Sequence, residues 1–186
     1  MRQPFKEVIK LEKEDMGLKA YIHVSNLKTE IEWLIQKNNL NLCLECGKCS
    51  AVCPMLNFYG AYDYGRSPRG VVERLTFDPE NIDDEALWYC LTCDECTFYC
   101  PSGINFQDFM IELRSLLLRN GYKKYAHFCS VCGAYLMPKK EFEYMQKDPN
   151  GKIIGELLSI CPRCKKNNYS ETLRRIAPVH KTLKKL

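Results

Sequence analysis

Residues 43–54 read Cys-Leu-Glu-Cys-Gly-Lys-Cys-Ser-Ala-Val-Cys-Pro, and residues 90–101 read Cys-Leu-Thr-Cys-Asp-Glu-Cys-Thr-Phe-Tyr-Cys-Pro. One pattern, C-x2-C-x2-C-x3-C-P, therefore stands twice without departure. Three cysteines in so tight a loop reach three corners of a cubane, and the fourth points away to ligate a neighbouring cubane. The spacing assigns Cys43, Cys46, Cys49 and Cys100 to one [4Fe–4S] cluster, and Cys90, Cys93, Cys96 and Cys53 to a second. Pro54 and Pro101 close the loops and have no N–H to offer a sulfur. The loops differ in charge: Glu45 and Lys48 stand in the first, Asp94 and Glu95 in the second. Charge, hydrogen bonding and exposure tune such clusters, so two different potentials are expected. The acidic second loop should lower its cluster's potential, with Phe98 and Tyr99 there to exclude water.

Outward from the motifs the chain reads as helical. Between them, Ser67-Pro68-Arg69-Gly70 looks like a helix start, with Ser67 at the cap and Pro68 in the first turn. Val71, Val72 and Leu75 give that helix its apolar side. A short helix should carry Leu87 and Trp88 up to Cys90. After Pro101, Asn105 can cap a helix whose stripe is Phe106, Phe109, Met110, Leu113, Leu116 and Leu117, with Gly121 as its stop. Upstream, Ser25 or Asn26 can cap a helix running to about Asn38 through Leu27, Ile31, Leu34 and Ile35. Arg69 either faces a cluster or a partner, or is a surface arginine.

The remaining cysteines, Cys129, Cys132, Cys161 and Cys164, form two C-x2-C knuckles. Four thiolates in two pairs suit a tetrahedral ion. A zinc ribbon is the first choice; the alternatives are mononuclear iron of the rubredoxin type, and thiols that are free or otherwise bound. Strand is expected around Ile153 to Ile160, and a short helix in the basic tail after Ser170. His23, His127 and His180 read as surface or packing residues, because the cysteines already complete each site.

Composition narrows the class. Among 186 residues, 46% are hydrophobic and 27% charged, which is ordinary, whereas 12 cysteines are not. The first 25 residues carry no apolar signal core and no run approaches a membrane span. A reducing, cytoplasmic setting with metal-bound thiolates is therefore expected over a disulfide framework. The formal charge of +4 falls to roughly −2 once three metal–thiolate sites each add about −2. Basic character is thus no argument for nucleic acid, and the aromatic–basic interleaving of base-stacking proteins is missing. No dinucleotide fingerprint or nucleophile motif marks a substrate site.

The two motifs, the Ser67-Pro68-Arg69-Gly70 spacer and Ala86-Leu87-Trp88-Tyr89-Cys90 resemble the C subunit of heterodisulfide reductase over residues 40–121. The resemblance implies a mainly α fold, an α-helical ferredoxin-like dicluster domain, here followed by a small zinc-ribbon-like module that the family pattern lacks. It also implies a relay in a cytoplasmic hetero-oligomer. Electrons would pass from an A-like flavoprotein with its own clusters to a B-like subunit that reduces a disulfide at CCG motifs. This chain has no adjacent Cys-Cys pair and fits the relay without the disulfide site. The rival parent is another anaerobic dehydrogenase or respiratory complex, of the lactate, glycolate or glycerol-3-phosphate type. The expected organisation is 1–40 extension and helix, 41–121 dicluster domain, 122–169 four-cysteine module and 170–186 basic tail. Neither nucleic acid nor direct membrane insertion is expected.

Overall fold

The computed structural model describes residues 16–60, 63–147 and 151–176. Helix α1, Met16–Lys37, buries Leu27, Ile31, Leu34 and Ile35 on one face. It begins well before Ser25 and Asn26, the expected start, which therefore lie inside the helix. The helix leads through Asn38 and a left-handed Asn39 (φ 62°) into a 3-10 turn, Leu40–Leu42, that delivers the chain to Cys43. Asn38 is buried, and its carbonyl accepts the Asn105 N–H at 3.1 Å.

Two one-turn helices follow, α2 at Lys48–Ala51 and α3 at Met55–Tyr59. Helix α4, Pro68–Phe77, starts as its sequence demands: the Gly70 N–H donates to Ser67 Oγ at 3.0 Å and Pro68 fills the first turn. The segment before Cys90 is a 3-10 turn, Glu85–Trp88, capped by Asp84, which accepts the Ala86 N–H at 2.8 Å. Helix α5, Glu95–Phe98, belongs to the second cysteine loop. Helix α6, Phe106–Arg119, buries the whole expected stripe. Asn105 sits at its cap position without a side-chain cap bond. At the other end Gly121 takes φ 89°, and the Tyr122 and Gly121 N–H groups close on Leu117 and Leu118 at 3.0 and 3.2 Å. The core lies where α1, α4 and α6 meet around Leu40, Leu87 and Trp88. Lys37 pairs with Glu112 across α1 and α6.

Beyond Gly121, β1 (Ala126–Phe128) and β2 (Tyr135–Pro138) form an antiparallel hairpin, continued by α7 (Lys139–Met145). Helix α8 occupies Gly151–Leu158, in place of the expected strand. The correction has a simple origin. Ile153, Ile154, Leu157 and Leu158 recur at i, i+1, i+4 and i+5, the spacing of a helical face, whereas β-branched residues alone suggest strand. Helix α9, Pro162–Ile176, starts inside the second knuckle, well before Ser170. The molecule is thus mainly α, with one small hairpin among the described residues.

Candidate metal centres

The repeat in sequence is a repeat in backbone. Glu45 and Thr92 take φ 57° and 51°; two positions later Gly47 and Asp94 take φ 73° and 71°. Helices α2 and α5 then begin at matching places. Such left-handed residues within a loop turn successive N–H groups inward, a concavity suited to anionic sulfur. The Thr92 N–H indeed donates to Cys90 Sγ at 3.3 Å.

The two loops wall two adjacent cavities of about 430 Å³ each, including their mouths. Cys43, Cys46 and Cys49 line the first together with Cys100 from the second motif. Cys90, Cys93 and Cys96 line the second together with Cys53 from the first motif. Cys96 also borders the first cavity, and Pro68 and Phe106 lie between the two. Burial pushes the Cys49, Cys90 and Cys96 thiols above their usual range. Thiols raised by burial do not ionise alone; they do so against a cationic partner. The donor set therefore fits iron–sulfur clusters.

Several supports are not visible in the sequence. Arg114, buried on α6, donates from Nε to the Leu87 carbonyl at 3.0 Å and from Nη2 to the Cys90 carbonyl at 2.7 Å. Its guanidinium also lies 5.7 Å from the Trp88 ring. Gln107 holds the second loop from below: its Nε2 donates to the Thr92 carbonyl at 2.6 Å, and its N–H to Thr97 Oγ1 at 3.2 Å. A charged residue beside Leu113 on an apolar stripe is the one available signal for Arg114. Arg69 resolves toward the cluster side, with Nη1 3.5 Å from Cys43 Sγ. Phe98 and Tyr99 go the other way. They are 79% and 49% exposed, pack edge-to-face on each other, and do not line the second cavity, so the shelter expected of them is missing.

The last four cysteines meet. The sulfurs of Cys129, Cys132, Cys161 and Cys164 all lie within 4.8 Å of one another, three of the residues buried and Cys132 exposed. The first pair sits in the β1–β2 turn, where Gly133 takes φ 69° and the Cys129 N–H donates to the Ala134 carbonyl at 2.8 Å. The second pair sits at the start of α9, so one hairpin and one helix supply the knuckles. The Cys161 N–H donates to Cys129 Sγ at 3.3 Å, and the Cys164 N–H to Cys161 Sγ at 3.4 Å. The Cys161 donor, first of all, holds the Cys129 thiol below its usual range, and the Ala134 N–H does the same for Cys132. The Cys164 thiol goes the other way, pushed up to about 12 by its bonds to the Cys161 and Cys132 sulfurs. Two sulfurs held toward thiolate, beside one that ionises only against a cation, suit a tetrahedral divalent ion. His127 stacks on Phe142 at 3.7 Å instead of joining the four. The His23 side chain and His180 lie outside the described residues.

The module rests on the cluster domain. Tyr135 packs against Trp88 at 6.2 Å, Tyr144 against Phe58 and Tyr59 at 5.5 and 6.0 Å, and Lys140 pairs with Glu85 at 3.3 Å. Among the described residues no helix is long and apolar enough to cross a membrane.

Comparison with known proteins agrees with this geometry. A family model described as a 4Fe-4S dicluster domain matches residues 39–104. The chain is 33% identical over 153 residues to the C subunit of a ferredoxin:CoB-CoM heterodisulfide reductase from Methanosarcina mazei, covering 76% of this chain and 84% of that protein. It is 30% identical over 125 residues to the protein of that name from Methanosarcina acetivorans, covering 62% of this chain and 49% of that one. The C subunit of a ferredoxin/F(420)H(2)-dependent CoB-CoM heterodisulfide reductase from the same organism is 32% identical over 102 residues, covering 51% of this chain and 58% of it. The chain thus spans about half the length of two of these relatives and most of the third. No solved structure matches the chain. With paired cysteine cavities and relatives of this kind, the chain belongs to the family of heterodisulfide reductase C subunits, as an iron–sulfur electron-transfer protein.

Proposed function

We propose that the chain relays single electrons between two other subunits of a heterodisulfide-reductase-like complex. Cys43, Cys46, Cys49 and Cys100 hold one [4Fe–4S] cluster; Cys90, Cys93, Cys96 and Cys53 hold the other. The observation that carries this reading is the exchange of fourth cysteines, Cys100 on the wall of the first cavity and Cys53 on the wall of the second. Each cluster, when bound, supplies a carrier of one electron. The protein's part is to present thiolates, aim N–H donors at them and keep the two sites side by side. Cys96, Pro68 and Phe106 border both cavities, so little protein separates the two sites.

The partners in this reading are an A-like flavoprotein that delivers electrons and a B-like CCG subunit that reduces the disulfide, in a cytoplasmic hetero-oligomer. The chain itself binds no final substrate. Zinc on Cys129, Cys132, Cys161 and Cys164 ties hairpin and helix together and takes no part in redox chemistry. In domain terms, 41–121 carries the electrons and 122–169 is the metal-tied module.

Iron, acid-labile sulfide and zinc per chain, with EPR of the reduced protein, test this directly. About eight iron, eight sulfide and one zinc are expected, with coupled S = 1/2 signals. About nine iron without zinc would make the C-terminal site a redox centre. Little iron or sulfide after anaerobic reconstitution would sink the relay. Cys46→Ser and Cys93→Ser should each disrupt one cluster and block transfer through the complex.

A further inference from the structure

Arg69 is held on three sides. Its Nη1 donates to Cys43 Sγ at 3.5 Å, its Nη2 pairs with Glu45 Oε2 at 3.0 Å, and its Nε donates to the Tyr64 hydroxyl at 3.2 Å. The side chain is only 11% exposed and lines the first cavity. The local fold is built to keep it there. Tyr64 lies in a 3-10 turn, Tyr64–Arg66, whose carbonyl accepts Ser67 Oγ at 2.7 Å. The same carbonyl presses on Gly70, where a Cβ would stand 2.0 Å from it. Ser67 thus starts α4, Gly70 admits the Tyr64 backbone, and Arg69 between them is aimed at Cys43. Glu73, one turn along α4, bonds the Tyr64 hydroxyl and lies 4.0 Å from Nη2.

We propose that Arg69 and Glu45 form a charge couple that sets the reduction potential of the cluster at Cys43, the arginine raising it and the glutamate lowering it. This rests on the reading that Cys43, Cys46, Cys49 and Cys100 hold a cluster. Reduction adds one negative charge to that cluster. A part-buried guanidinium donating to one of its sulfurs stabilises the added charge, so the potential rises. Glu45 sits on the same loop and shares the guanidinium. Its carboxylate opposes the added charge and draws part of the arginine's field to itself. Being largely exposed, it is better screened than Arg69 and should act more weakly.

The test uses the full chain, reconstituted anaerobically, with iron and sulfide measured before any potential. EPR-monitored redox titrations then compare wild type with Arg69→Gln, Arg69→Lys and Glu45→Gln. The signal surviving in Cys46→Ser identifies the Cys90 cluster and so tells the two potentials apart. Arg69→Gln should move the Cys43 cluster to more negative potential and leave the other in place. Arg69→Lys should fall between, because it keeps the charge and loses the fork. Glu45→Gln should move the same cluster the opposite way, by less. A purely structural role predicts no such opposed signs. The proposal is overturned if Arg69→Gln, fully loaded, changes neither potential or shifts both equally. Should Arg69→Gln fail to hold its cluster, a Glu45→Gln shift that is absent or negative overturns it equally. Wild-type protein that takes up little iron overturns the cluster reading itself, a failure visible before any variant is compared.

Discussion

Among single residues, the ligands and their supports differ in how they can be read. A cluster motif is local: four cysteines within eleven residues declare their chemistry by spacing alone. Arg114 shows its partners only once α6 lies beside the Leu87–Cys90 segment, because they are carbonyls 24 and 27 residues away. Gly70 stands between these cases. Its place in Ser67-Pro68-Arg69-Gly70 is visible, but the Tyr64 carbonyl that needs its bare Cα is not. Gly70→Ala should cost about 1–3 kcal/mol, since the new methyl meets backbone that cannot swing aside. Thermal unfolding of the loaded protein checks the loss. The same variant should disturb the Arg69–Cys43 contact, which depends on Tyr64 staying where it is.

Among the elements, amphipathic helices with clear stops are legible in the sequence and short mixed segments are not. The stripe of α6 and the Ser67 cap of α4 both stand where expected, because burial of one face and a satisfied N-terminus are encoded within a dozen residues. Helix α8 departs from expectation through the propensity of Ile153 and Ile154, although their spacing already points to a helical face. The start of α9 at Pro162 is hidden because a knuckle suggests a second hairpin, while proline suits a first helical turn. The four sulfurs tie the hairpin to the start of α9, and the Ser130 N–H ties it to the Ser159 carbonyl between α8 and α9 at 2.9 Å. Cys161→Ser should therefore lose the C-terminal metal and loosen residues 122–169, with the cluster spectra largely intact. Hydrogen exchange together with visible absorption would check both halves. A chelator that strips this ion alone should reproduce the exchange pattern.

Across the molecule, the four-cysteine module is fastened to the cluster domain by aromatic rings and a few charges. Glu141 on α7 reports on that junction. Burial raises its carboxyl pKa, and the Arg114 guanidinium only partly offsets this. Its native pKa thus exceeds the unfolded value of about 4.3. Between those two values the folded state binds more protons, so stability falls as pH rises through the window and the cost persists at neutral pH. Glu141→Gln should be the more stable protein at pH 7, with the gap closing as the pH is lowered toward the unfolded value of about 4.3. Melting midpoints of both proteins across that range give the sign. Ligand spacing and helical periodicity act over a few residues, so the two cluster loops, the helices around them and the second four-cysteine set are written in the primary structure. Two outcomes came from packing alone: the turn of Arg69 to Cys43, and the outward facing of Phe98 and Tyr99. They depend on how α4 and α6 pack between the loops, and on side chains choosing between core and solvent. Neither choice is present in the spacing of the cysteines.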